Sequence, residues 1–142
     1  MTTRAHCTFD VTGWEQTLYD DPADGPRLAR ATVSKMFRGD LEGESTAELL
    51  MCQADPDDFA AGAGYIASER VVGRLGGRSG TFVLQHGGLG GAGTTERTFG
   101  HVVPGSGTGE LAGLGGDVEI SRTPEGKHTL TLDYAFHQST AE

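Results

Sequence analysis

Val102-Val103-Pro104-Gly105-Ser106-Gly107-Thr108-Gly109-Glu110-Leu111-Ala112-Gly113-Leu114-Gly115-Gly116 is the stretch that decides the fold. A β-branched pair runs into proline, and glycine then recurs at every second position. Such spacing lets the backbone pass close to another segment and adopt positive φ. It also rules out a helix, because each glycine costs about 1 kcal/mol relative to alanine. The stretch reads as a strand, a tight crossover, and a second strand starting near Asp117. Gly107 to Ala112 formally fits a Gly-x-Gly-x-x-Gly/Ala dinucleotide fingerprint. Turn residues follow at once, however, where a Rossmann unit needs a helix and another strand.

Outward from this stretch the apolar residues mostly alternate, as in half-buried strands. Ala5, Cys7, Phe9 and Val11 share a face, and Trp14 and Tyr19 lead into the acidic loop Asp20–Pro26 as packing, or a ligand lid, at a barrel end. Arg27–Leu41 reads as a strand carrying Val33, Phe37 and Leu41, with a helix over 27–38 as its competitor. Glu44–Gln53 reads as a strand with Thr46, Glu48, Leu50 and Cys52 on one face, although Ser45 and Glu48 would also suit a helix cap. Tyr65–Leu75 places Tyr65, Ala67, Glu69, Val71 and Leu75 on its buried face. Phe82, Leu84 and His86 share a face of the next strand, which ends at a turn over Gly87–Gly93. Lys127–Phe136 closes the sheet with Leu130, Leu132, Tyr134 and Phe136 aligned.

This gives one all-β domain over residues 1–142. About eight antiparallel strands with short connections close most economically as an up-and-down β-barrel, here with an internal pocket. A chain of this length buries roughly 70% of its unfolded surface and needs no disulfide. Cys7 and Cys52 read as small apolar residues. Eleven Lys and Arg against 20 Asp and Glu give a net charge of −9, which opposes nucleic acid as a partner. No apolar run approaches the ~20 residues of a membrane helix, and no secretion signal opens the chain, so a cytoplasmic location without membrane attachment is expected. The five histidines form no close pair, and no metal or cofactor is expected. The oligomeric state stays open, a homo-oligomer included.

Glu69 is the most informative polar residue. A carboxylate on the inner face of an apolar barrel can act as a general acid or base. The alternative is a structural ion pair with an inward arginine. His86 would stand near it on the adjacent strand, so Glu69 and His86 are the catalytic candidates. Glu48, Tyr65, Phe82, Leu84, Tyr134 and Phe136 are the candidates for holding a substrate.

Several stretches carry a resemblance. The glycine-rich segment 102–116 resembles that of allene oxide cyclases and dirigent proteins, whose eight-stranded barrels hold a ligand inside. Over nearly its full length the chain resembles a bacterial family, the domain-of-unknown-function family 3224. The matching stretches are Glu42–Glu48, Glu69–His86, the glycine-rich segment and Leu130–Tyr134. The resemblance implies an allene-oxide-cyclase-like barrel and brings no reaction with it. With the residues it suggests a cofactor-independent cyclase or isomerase of an apolar, natural-product-like small molecule. The rivals are a lipocalin-like binding protein for a hydrophobic ligand and a structural barrel filled by side chains.

Overall fold

The computed structural model describes residues 2–137. Eight strands follow one another around a ring: β1 (Thr3–Asp20), β2 (Arg27–Gly39), β3 (Leu41–Gln53), β4 (Ala63–Leu75), β5 (Arg78–Gly91), β6 (Thr94–Val102), β7 (Leu114–Arg122) and β8 (His128–Phe136). Every neighbour is antiparallel, and β8 closes on β1. The meander therefore forms the expected all-β barrel. No helix among the described residues is long and apolar enough to cross a membrane.

Two strands are longer than the sequence suggests. β1 runs on to Asp20, paired with β2, instead of ending near Val11. β5 continues to Gly91, because Gly87 and Gly88 are flat strand positions covered by the rings of Phe99 and Tyr65. The helical alternatives over 27–38 and from Ser45 do not form, since β2 and β3 pair with each other from Arg27↔Gln53 to Phe37↔Gly43.

The decisive glycine-rich stretch works as a clamp. β5 starts six residues before its first partner on β6, Leu84↔Val102, which leaves the N–H groups of Ser79, Thr81 and Val83 without a strand. Glu110 Oε1, Thr108 Oγ1 and Ser106 Oγ accept from them at 3.0, 3.1 and 3.0 Å. The polar side chains at alternate positions thus stand in for a ladder. The intervening glycines allow the approach: a Cβ on Gly107 would strike the Leu111 carbonyl, and one on Gly80 would strike that of Thr108. The 3-10 turn Gly109–Leu111 then lowers Leu111 into the barrel, where it is fully buried.

The interior is divided in two. Toward the end plugged by Leu111 it is packed by Phe9, Phe37, Leu41, Leu75, Phe82, Leu84, Leu130 and Leu132. Each such side chain contributes about 1.5–3 kcal/mol on burial. Toward the other end the inward positions of β2, β3, β4 and β5 become Ala29, Ala31, Ala47, Ala67 and Gly88, so the wall recedes. Around this half, among the described residues, β1 beyond Phe9 pairs only with β2, and β6 meets β7 only at His101↔Asp117. The barrel is a filled cup at one end and an open mouth at the other.

Candidate functional site

The boundary between the halves is a polar layer. Lys35 follows Val33 at the two-residue period of β2 and so points inward; Ser45 does the same on β3, Glu69 on β4 and His86 on β5. All four are buried, Glu69 completely. Glu69 Oε1 accepts from Lys35 Nζ at 3.0 Å and lies 2.7 Å from His86 Nε2, while Ser45 Oγ donates to Oε2 at 2.6 Å. The ammonium also sits 4.6 Å from the centre of the Phe9 ring. Burial by itself pushes the Glu69 carboxyl up. The His86 hydrogen bond, the Lys35 charge and the Ser45 hydrogen bond overcome it and hold the group at about 2, so it is ionised at neutral pH.

An ionised Glu69 accepts only, and the short contact therefore places a proton on His86 Nε2. In the neutral ring Nδ1 is then an acceptor, and Tyr65 Oη lies 3.2 Å from it. The tyrosine and histidine rings meet edge to face at 5.7 Å. Burial, then the Glu69 charge, raises the Tyr65 hydroxyl above its ordinary value, so it stays protonated. The order Glu69–His86–Tyr65 is that of an orienting carboxylate, a base and a hydroxyl, the logic of a nucleophilic triad with tyrosine at its head.

Tyr65 is where this layer meets the mouth. A cavity of about 490 Å³ opens there, with Trp14, Leu49, Met51, Gln53, Tyr65 and Thr98 among its walls. Trp14 reaches it because Thr12 is an extra residue in β1, a bulge that turns the following even-numbered positions inward. Arg122 and Glu96 line the rim. Arg122 Nη2 is 3.1 Å from His128 Nε2; burial, then the Arg122 and Lys35 charges, lowers His128, so its neutral ring accepts. The outer wall carries a second apolar hollow over Leu50, Ile66, Leu89 and Phe99. Arg97 and one edge of Tyr65 also line it, whereas Glu69 and His86 do not. Among the described residues no group of three or more His, Cys, Asp or Glu side chains is placed to hold a metal ion.

The structure brings Glu69 and His86 together and sets Tyr65 beside them. The remaining candidates lie elsewhere. Glu48 belongs to the outer face of β3, exposed and bonded to Arg30 and Thr32, because the inward positions of that strand are odd-numbered. Phe82 and Leu84 are fully buried in the filled half, away from the mouth. Tyr134 and Phe136 meet edge to face at the plugged end, where Arg78 covers Phe136. The cationic partner of Glu69 is Lys35 rather than an inward arginine. Lys35 could have been found from its period with Val33 and Phe37, whereas Trp14 depends on a bulge that leaves no mark in the alternation.

Two comparisons place this architecture among known proteins. The profile of a family described as "Protein of unknown function (DUF3224)" matches residues 5–134. A crystal structure of a protein with unknown function from the DUF3224 family of Shewanella oneidensis MR-1 superposes with a TM-score of 0.80 at 36% identity, covering 97% of this chain and 100% of that one. No curated protein matches the chain.

Proposed function

This chain belongs to the DUF3224 family, and we propose that it is a small-molecule barrel enzyme, a cofactor-independent isomerase or cyclase that moves a proton on an apolar carbonyl substrate held in the mouth. The observation that carries the reading is the continuous line Glu69–His86–Tyr65, which ends on a hydroxyl at the cavity wall. The barrel resemblance to allene oxide cyclases agrees with it as analogy only.

The step balances within the site. Tyr65 Oη takes a proton from the carbon next to the substrate carbonyl while its own proton passes to His86 Nδ1. The C–H electron pair moves into the enolate, and the imidazolium is stabilised by ionised Glu69. In a β,γ-unsaturated ketone the enolate is a dienolate, and the same proton returns through Tyr65 to its γ-carbon while His86 gives its proton back to Tyr65, which moves the double bond into conjugation. In the cyclase variant the enolate carbon bonds to an electrophilic carbon of the same folded molecule, and the proton goes to the atom that receives the displaced π pair. Walls of Trp14, Leu49 and Met51 fold the substrate and exclude water.

2-Tetralone, an apolar ketone with acidic α-protons, tests this. In D2O the wild-type protein is expected to accelerate α-proton exchange, followed by NMR, and Tyr65→Phe to lose about a hundredfold of that rate or more. Exchange at the same rate with both proteins overturns the enzymatic reading. The second reading, a lipocalin-like carrier, is favoured by the breadth of the mouth, at which Trp14 is half exposed. It predicts binding without exchange, unchanged in Tyr65→Phe.

A further inference from the structure

Tyr19, Leu50, Ile66, Leu89 and Phe99 are each about half exposed, and all five line the hollow of about 670 Å³ on the outer wall, with Leu28 beside them. The register lays them out in two rows. Arg30, Leu50, Ile66, Gly87 and Phe99 run across β2 to β6; Leu28, Cys52, Gly64, Leu89 and Arg97 form the next row toward the mouth. The Phe99 ring lies over Gly87, so the glycines make this wall low and apolar. At roughly 100 Å² each, five half-exposed side chains of this size offer about 500 Å². That is at the upper end of what a monomer leaves in water, and two such faces together bury about 1,000 Å², where specific interfaces begin.

The distribution of charge says which partner fits. The Arg30–Glu48 pair on the border away from the mouth neutralises itself. Along the mouth-side row the two flanks differ in sign: Asp20, paired with Leu28, ends it on β1, and Arg97 ends it on β6. Neither makes an ion pair among the described residues. A face that is acidic at one flank, apolar in the middle and basic at the other complements itself. A two-fold axis running along the strands between β3 and β4 exchanges β3 with β4, β2 with β5 and β1 with β6. Leu50 then meets Ile66 of the partner subunit, and Leu28 meets Leu89 of the partner subunit. Each Asp20 is turned toward Arg97 of the partner subunit.

We propose that this wall is a homodimer interface, on which a second copy of the chain docks about that axis. The apolar centre supplies the affinity, and the opposed flanks set the orientation. The interface is independent of the chemistry at Tyr65.

Sedimentation velocity from about 1 to 100 µM, the weak end of the affinities found for interfaces, reads the oligomeric state. The wild-type protein is expected to form a dimer, and Ile66→Glu, a change on the exposed face that leaves the core untouched, a monomer. Arg97→Asp is expected to weaken the dimer about tenfold, and Asp20→Arg added to the same chain to restore it. Cys52 is half-buried beside the axis, so its reaction with a thiol reagent should slow as the wild-type concentration rises and stay constant in Ile66→Glu. A wild-type monomer throughout the range overturns the proposal and leaves the face to a different protein or to a lipid surface. A dimer that survives Ile66→Glu overturns it too, because the copies would then meet elsewhere. So does a double variant that associates no more tightly than Arg97→Asp alone.

Discussion

His86 Nε2 and Glu69 Oε1 are 2.7 Å apart in the middle of a β-barrel, on adjacent strands, with Lys35 Nζ 3.0 Å from the same oxygen. An anion at zero exposure survives there because a cation, an imidazole and the Ser45 hydroxyl all face it. The arrangement fixes the histidine ring, and through it the tyrosine at the mouth.

Removing one partner of this group is therefore costly. Glu69→Gln leaves the Lys35 ammonium buried beside a neutral amide, and a loss of about 3–5 kcal/mol in unfolding stability is expected. Lys35→Met combined with Glu69→Gln should recover much of it, because no charge is then stranded. Urea unfolding of the two single variants and the double variant gives the coupling energy. Additive losses would show that the ion pair contributes nothing specific.

The same carboxylate makes stability depend on pH. Glu69 titrates at about 2 in the folded protein and at its ordinary 4.5 once unfolded. As the pH falls, the unfolded chain binds the proton first. The contribution is thus fully present above about 4.5 and is lost as the pH drops through about 2. The full loss amounts to about 3 kcal/mol. Urea midpoints measured from neutral pH to about pH 3 should fall less in Lys35→Met/Glu69→Gln than in wild type.

The two thiols should separate cleanly. Cys7 is buried in the filled half, where burial first, then the Asp40 and Glu69 charges, push it up to about 12. Cys52 is half-buried on the outer face of β3. A thiol reagent at neutral pH is expected to modify Cys52 in the native protein and Cys7 only after denaturation. Rapid native reaction of both, resolved by mass spectrometry, would contradict the packing of the plugged half.

How much of this was legible in the sequence depends on how each feature is encoded. Alternation exposed the inward sets of β4 and β8, so Glu69, Tyr65 and the barrel itself followed from period two. Alternation alone does not say which face is inside when both carry polar groups. For that reason Glu48 looked inward on β3, where the small residues Ser45 and Ala47 hold the inner positions. Division of the barrel into a packed and an open half was hidden too. It arises from where alanine and glycine fall across four strands, a relation among distant residues, and it moved the candidate pocket away from Phe82, Leu84, Tyr134 and Phe136.

The glycine-rich clamp offers a test of its own. Gly80→Ala forces a methyl group against the Thr108 carbonyl and the Leu111 side chain, and about 1–3 kcal/mol of destabilisation is expected. Thr108→Val leaves the Thr81 N–H without its acceptor, for a loss of similar size. Hydrogen exchange at Ser79, Thr81 and Val83 should quicken in both variants while β2 and β3 keep their protection. Unchanged exchange would mean that the loop does not hold that edge.

A crystal structure with 2-tetralone bound addresses the central claim most directly. The account predicts the ketone inside the mouth, between Trp14 and Met51, with an α-carbon about 3–3.5 Å from Tyr65 Oη. A ketone lying instead on the outer wall over Leu50, Ile66 and Phe99, with the mouth unchanged, would contradict it.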